Sequence, residues 1–325
     1  MGPILSVTLP FFALVLMGYV AAHKRVLPES AIPGLNAFVL YFALPAMLFR
    51  FGMNTPIGQL LNPVVLVVSL IASLAIVAFT LAVTLSPRVQ LKDAAFGALV
   101  AAFPNTGFMG VPLLTVLLGK DAAGPVICAM LTDLFVTTSL CIALAQAHEA
   151  KGAGARAALK KALLGALSNP LPWAIALGAL CSVLDWRWLG SGGPVARIVD
   201  MLADAASPVA LFTIGAVLWR AGQHAHTRTP ASLYLPVAAI KLFAHPLLVF
   251  ALAAAARQLG APIGTFEAMV LTLAAALPSA SNVSLLAERY GADNGRVARI
   301  ILSSTAAAFV TFTALATAFR VAGTH

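Results

Sequence analysis

The sequence predicts an all-α polytopic membrane protein with about ten transmembrane helices, and three observations lead there. Of its 325 residues, 61% are hydrophobic and only 10% charged, and the mean hydropathy is +0.96. That composition lies outside the range of soluble domains. The apolar runs are roughly 18 to 25 residues long, enough to cross a bilayer as helices, whereas barrel strands would show about ten residues of alternating character. Two of the runs are also interrupted midway by proline, glycine and asparagine.

In chain order the spans are expected near 3–22, 31–51, 62–85, 93–119, 122–146, 161–184, 195–219, 232–256, 267–290 and 296–319. The first has no basic residue ahead of it, and His23, Lys24 and Arg25 follow it. This is the reverse of a cleaved signal peptide, so the span is expected to stay attached. The second and third are continuous. The fourth breaks at Phe103-Pro104-Asn105-Thr106-Gly107-Phe108-Met109-Gly110-Val111-Pro112. The fifth carries Asp133, and a short polar, basic connection from Gln146 to Lys161 separates it from the sixth. The seventh opens with Asp200 and Asp204, and the eighth holds Lys241, His245 and Pro246. The ninth breaks at Pro278-Ser279-Ala280-Ser281-Asn282, and the tenth closes the chain. Cys128, Cys141 and Cys181 all fall inside spans and read as small apolar residues.

The net charge of +9 is explained by where the basic residues lie. Lys24, Arg25, Arg88, Lys92, Lys151, Arg156, Lys160, Lys161, Arg220, Arg228, Arg289, Arg296 and Arg299 occupy alternate connections. The opposite side holds only Arg50, Lys120, Arg187, Arg197, Arg257 and Arg320. Basic excess marks the cytoplasmic side, so both termini are expected outside it, at the periplasmic or extracellular face. The same distribution makes a nucleic-acid partner unnecessary; membrane lipid is the expected surrounding.

An internal repeat is also visible. Ala43-Leu44-Pro45-Ala46-Met47-Leu48-Phe49-Arg50-Phe51-Gly52 matches Ala206-Ser207-Pro208-Val209-Ala210-Leu211-Phe212-Thr213-Ile214-Gly215, sharing Ala, Pro, Leu, Phe and Gly in register. Ala101-Ala102-Phe103-Pro104 matches Ala275-Ala276-Leu277-Pro278, and Gly119-Lys120-Asp121 matches Gly291-Ala292-Asp293. The second span thus pairs with the seventh and the fourth with the ninth, giving two five-span units, 1–150 and 151–325. An odd number of spans per unit inverts the second copy, the symmetry from which alternating access is commonly built.

These residues carry a resemblance. Phe42-Ala43-Leu44-Pro45, the run from Phe103 to Leu113, Lys241 with Pro246, and Pro278 with Asn282 are similar to the auxin efflux carrier family. The likeness is to its bacterial, malonate-transporter-like permeases and covers the whole chain. The long loop of the plant members between the fifth and sixth spans is absent. The resemblance implies a five-plus-five inverted repeat with crossed, broken fourth and ninth helices, and a scaffold of spans one, two, six and seven. The other spans would form a mobile half carrying a small organic anion by elevator-like motion. It also implies a bacterial inner-membrane location and a homodimer formed through the scaffold.

The chemistry at the breaks can be argued separately. Prolines 104 and 278 remove backbone donors, so the freed groups must be satisfied by protein, water or solute. Half-helices starting near Asn105 to Phe108 and near Asn282 would aim amides and positive dipole ends at the crossing. Asn105 and Asn282 offer uncharged donors and acceptors that hold a carboxylate and still release it, with Thr106, Gly107, Ser279 and Ser281 beside them. The alternative is that these residues only satisfy the broken backbone. Ionisable residues deep in spans are functional candidates by default. Lys241 is a candidate for offsetting substrate charge and Asp133 for carrying a coupling proton or sodium ion. A structural pair, or Lys241 closing a helix end, is the competing reading. His245 reads more simply as a core histidine, and Asn36, Tyr41 and Asp204 are candidate scaffold-side lining.

No HExxH, GxSxG or P-loop pattern occurs, and the six histidines are scattered, so neither an enzyme nor an ATP-driven pump is expected. No cofactor or metal is called for. A sodium-coupled bile-acid-type carrier and a channel or sensor on the same fold are the competing readings.

Overall fold

The computed structural model describes residues 2–147, 164, 167, 169–184, 193–223 and 229–319. Among them the backbone is helical, with two isolated β-bridges and no strand. In chain order the helices that matter here are α1 (Ile4–His23), α2 (Glu29–Asn54), α3 (Ile57–Thr84), α4 (Leu91–Ala102), α5 (Thr106–Leu118) and α6 (Lys120–Gln146). They are followed by α7 (Pro170–Val183), α8 (Pro194–Arg220), α9 (Ala231–Gln258), α10 (Thr265–Ala275), α11 (Asn282–Arg289) and α12 (Asn294–Ala318). Seven of these, α1, α2, α3, α6, α8, α9 and α12, are long and apolar enough to cross a bilayer. The chain is therefore a multi-pass membrane protein. The two spans expected to break do so, the fourth into α4 and α5 and the ninth into α10 and α11. Most of the start of the sixth span lies outside the described residues, with Lys151, Arg156, Lys160, Lys161, Trp186, Arg187, Trp188, Arg228 and Arg320.

Four helices contain one widened π turn each: Val39–Ala43 in α2, Thr106–Gly110 in α5, Asp133–Thr137 in α6 and Ile240–Ala244 in α9. Three of them end two residues before a proline, at Pro45, Pro112 and Pro246. A proline cannot donate to the carbonyl four residues back and its ring crowds that carbonyl. Widening the preceding turn relieves the crowding while the helix continues. The turn at Asp133 has no proline. There the Thr138 hydroxyl donates to the Asp133 carbonyl at 2.8 Å.

Between helices, glycine sets the distance. α1 packs along α8, and α2 along α7. A Cβ on Gly18 would lie 1.8 Å from the Phe212 carbonyl oxygen, and one on Gly215 1.8 Å from that of Val15. In the second pair, a Cβ on Gly52 would meet the Ile175 oxygen at 2.6 Å and one on Gly178 the Phe49 oxygen at 2.3 Å. Inside lipid, burying apolar surface drives helices together only weakly, so such backbone-to-backbone approach is what holds them. Trp219 packs over Ala22, Ile32 and Ala216. The core is centred on α4, where every residue from Ala94 to Ala102 is buried, and on α6, the most buried of the seven long helices. The two breaks lie within it.

Candidate functional site

At the breaks the chain crosses itself. Pro104 and Ser279 form an antiparallel bridge, in which the Asn105 amide donates to the Pro278 carbonyl at 2.8 Å and the Ala280 amide to the Phe103 carbonyl at 3.0 Å. Each proline can only accept, and each break supplies the amide that the other lacks. The Thr106 amide turns back to the Pro104 carbonyl at 2.8 Å. From α12, the Ser304 hydroxyl lies 3.3 Å from the Ser279 amide and 3.2 Å from its hydroxyl. The amides of Asn105, Thr106, Ser279 and Ala280 are thus engaged by protein and not free for a ligand, whereas those of Gly107, Phe108, Ser281 and Asn282 make no such backbone bond. This narrows the expectation that unpaired amides face the break.

Side chains are available there as well. Asn105 and Ser281 stand immediately before the turns that begin α5 and α11, positions where such residues ordinarily cap an amide, yet neither side chain does so. Both are buried. Asn282 Oδ1 is buried without a hydrogen-bond partner. Buried carboxamide and hydroxyl groups left without partners beside a helix break are suited to a solute bearing donors and acceptors. Thr106 is buried, its hydroxyl 3.5 Å from the Pro104 carbonyl. Gly107 is not crowded: a Cβ there would meet only Met130 Sδ, at 3.4 Å, an ordinary van der Waals contact.

A cavity of about 660 Å³, not lined by the crossing residues themselves, opens between α2 and α8 on one side and α11 on the other. Asn36 and Tyr41 line it from α2, Arg220 from α8, and Ser284 and Glu288 from α11. It lies towards the end of the molecule that carries the basic excess. Arg220 also pairs with Glu29 at 3.3 Å. Asp204 is not part of it. It is on the opposite end of α8, exposed, and bonded with Asp200 to Arg50 at 2.8 and 3.4 Å. The structure thus brings Asn36 and Tyr41 to one cavity and leaves Asp204 in a surface ion pair.

The buried charges form two linked clusters. Asp133 Oδ1 accepts from the Ser73 hydroxyl at 3.0 Å and the Thr137 hydroxyl at 3.1 Å. Lys241, fully buried, donates to the Ala275 carbonyl at 2.5 Å and meets His245 Nδ1 at 3.3 Å. Ala275 is the last residue of α10, so the ammonium closes the negative end of a half-helix just before the crossing. Lys241 and Asp133 interact electrostatically, but no direct ion pair joins them among the described residues. In this conformation Lys241 is engaged with the helix end rather than reaching Asn105 or Asn282. Ser73, which completes the Asp133 cluster, and Ser304, which supports Ser279 at the crossing, escaped sequence reasoning; Thr137, four residues after Asp133 on the same helix face, was findable by spacing.

A family profile described as "Membrane transport protein" matches residues 3–316, nearly the whole chain. The chain belongs to that family. It is the auxin efflux carrier family that its motifs resemble. Among relatives, a Rhizobium meliloti protein named "Putative malonate transporter" is 29% identical over 319 residues, 97% of this chain and 95% of the relative. "Uncharacterized transporter YfdV" of Escherichia coli K12 is 24% identical over 286 residues, 87% of each chain. An "Uncharacterized transporter" of Methanothermobacter thermautotrophicus is 26% identical over 304 residues, covering 91% of this chain and 92% of the relative. The protein is a membrane transporter of this family.

Proposed function

We propose that this transporter is a secondary carrier of a small organic anion, a mono- or dicarboxylate such as malonate, bound at the helix crossing. The observation that carries the reading is the pairing of two broken helices through Pro104 and Ser279, with the side chains of Asn105, Ser281 and Asn282 left uncapped or unpartnered beside it. The name of the Rhizobium relative supports malonate as the first substrate to try.

Ten spans in two inverted halves, 1–150 and 151–325, fit the packing. Exchanging the first five spans with the last five turns the α1 and α8 contact into that of α7 and α2, and the α3 and α4 contact into that of α9 and α10. The matched glycines Gly119 and Gly291 both have positive φ, 90° and 64°, where other residues are strained. In this reading spans one, two, six and seven are the scaffold and the rest move as an elevator. The cavity beside α11 is the cytoplasmic opening, and both termini are periplasmic. The location is a bacterial inner membrane, and a homodimer through the scaffold is part of the same proposal.

The test is Asn105→Ala. Losing a carboxamide bond to a charged ligand costs about 1.5–3 kcal/mol, so carboxylate affinity is expected to fall roughly 10- to 100-fold with expression and unfolding temperature retained. Unchanged affinity in a thermal-shift or flux assay removes Asn105 from the site.

A further inference from the structure

We propose that Asp133 is a proton-binding site of the mobile half, taking up one proton with each carboxylate carried. This rests on the carrier reading above, and three observations support it.

The first is the cage around the carboxyl group. Asp133 is 3% exposed, and its Oδ1 is held by the hydroxyls of Ser73 and Thr137. A hydroxyl donates to a carboxylate and, after rotating, accepts from a carboxylic acid. The same cage therefore satisfies both protonation states, where amide or ammonium donors would satisfy only one.

The second is the independence of Lys241. Its ammonium bonds to the Ala275 carbonyl and His245 Nδ1, not to Asp133. Protonating Asp133 leaves no lysine donor without a partner, so the charge state changes without breaking a contact pair.

The third is the charge that crosses the membrane. Asp133 on α6 and Lys241 on α9 both belong to the mobile half and travel together. The crossing itself has no charged residue from Phe103 to Gly110 or from Leu277 to Asn282. With Asp133 ionised, its charge cancels that of Lys241 and the loaded carrier moves the full negative charge of the substrate. With Asp133 protonated, Lys241 offsets one of those charges, and charge in the membrane interior is costly. Besides Lys241, Cys141 interacts electrostatically with Asp133, and Cys128 further along α6 is bonded to the Asn62 carbonyl. α3 has no titratable residue, and α4 has only Lys92 and Asp93 at its far end. The step is balanced: an O–H bond forms at the Asp133 carboxylate with a proton taken from water on one face, and breaks to release it to water on the other.

The test uses the full chain in proteoliposomes containing a pH-sensitive dye, with malonate and a panel of other dicarboxylates as probes and counterflow measured in parallel. An inward gradient of the transported probe is expected to acidify the lumen, and Asp133→Asn to lose the acidification while keeping counterflow. Counterflow without acidification, acidification undiminished in Asp133→Asn, or a strict sodium requirement overturns the inference and leaves the carrier reading standing. Absence of counterflow with every probe overturns the carrier reading and this inference with it. If Asp133→Asn fails to fold, Thr137→Val, which keeps the carboxyl group and removes one hydroxyl of the cage, is expected to shift the pH at which uptake is half-maximal. An unmoved pH profile then contradicts the proposal.

Discussion

Lys241 is fully buried, and the side chain that a membrane interior ought to exclude is kept there by the end of a broken helix. The Ala275 carbonyl has no amide one turn on to receive, because the chain leaves the helix for the crossing, and the lysine supplies the missing donor. Lys241→Met orphans that carbonyl and is expected to lower stability by about 1–3 kcal/mol, read as a fall in unfolding temperature in detergent. Lys241→Arg, which keeps a donor, is expected to recover most of the loss. Ser304→Ala removes the hydroxyl that serves Ser279 and is expected to cost about 0.5–1.5 kcal/mol by the same measurement. Charges at 133 and 241 were legible in the sequence, since an ionisable residue deep in an apolar run stands out. Their partners were not: Ser73 and Ala275 lie on other helices, 60 and 34 residues away, and serine is unremarked among apolar residues. Asp204 misled for a related reason. Read as scaffold-side lining, it is a carboxylate one turn from Asp200 that pairs with Arg50 at the surface.

At the scale of the helix, proline, glycine and asparagine announced both breaks, because no continuous helix tolerates that density of breakers. The π turns were not announced, although Pro45, Pro112 and Pro246 mark where three of them end. Lys241 lies inside the turn that precedes Pro246. Pro246→Ala restores an amide and allows the turn to close to ordinary α geometry, rotating the preceding face by roughly 100° per residue removed. The expected outcome is a folded protein with reduced transport, read as counterflow rate against unfolding temperature. The glycine contacts make a sharper case. Gly215→Val places side-chain carbon where the Val15 carbonyl already sits, so α1 and α8 must separate. Monodisperse protein on size exclusion is expected to be lost. Gly34→Ala, with nothing within 4 Å of the added carbon, is the control and is expected to behave as wild type.

For the whole molecule, the proposed sidedness rests on the basic residues, and the cavity lined by Asn36, Tyr41 and Ser284 lies towards the end that carries them. All three native cysteines are buried, so an introduced thiol is read against a low background. Glu288→Cys, at an exposed position of the same cavity, is expected to react with a membrane-impermeant thiol reagent in inside-out vesicles and to be silent in right-side-out ones; the reverse pattern would invert the topology. The internal match of Gly119 with Gly291 was legible before any coordinates, and the shared positive φ gives it a physical reason. Anomalous diffraction from a bromine-substituted malonate, or from the brominated form of whichever carboxylate shows counterflow, is the most direct test of the site at the helix crossing. Bromine signal within contact distance of Asn105 and Asn282 is the expected result. Signal confined to the outer cavity around Arg220, with the crossing empty at saturating ligand, would contradict it.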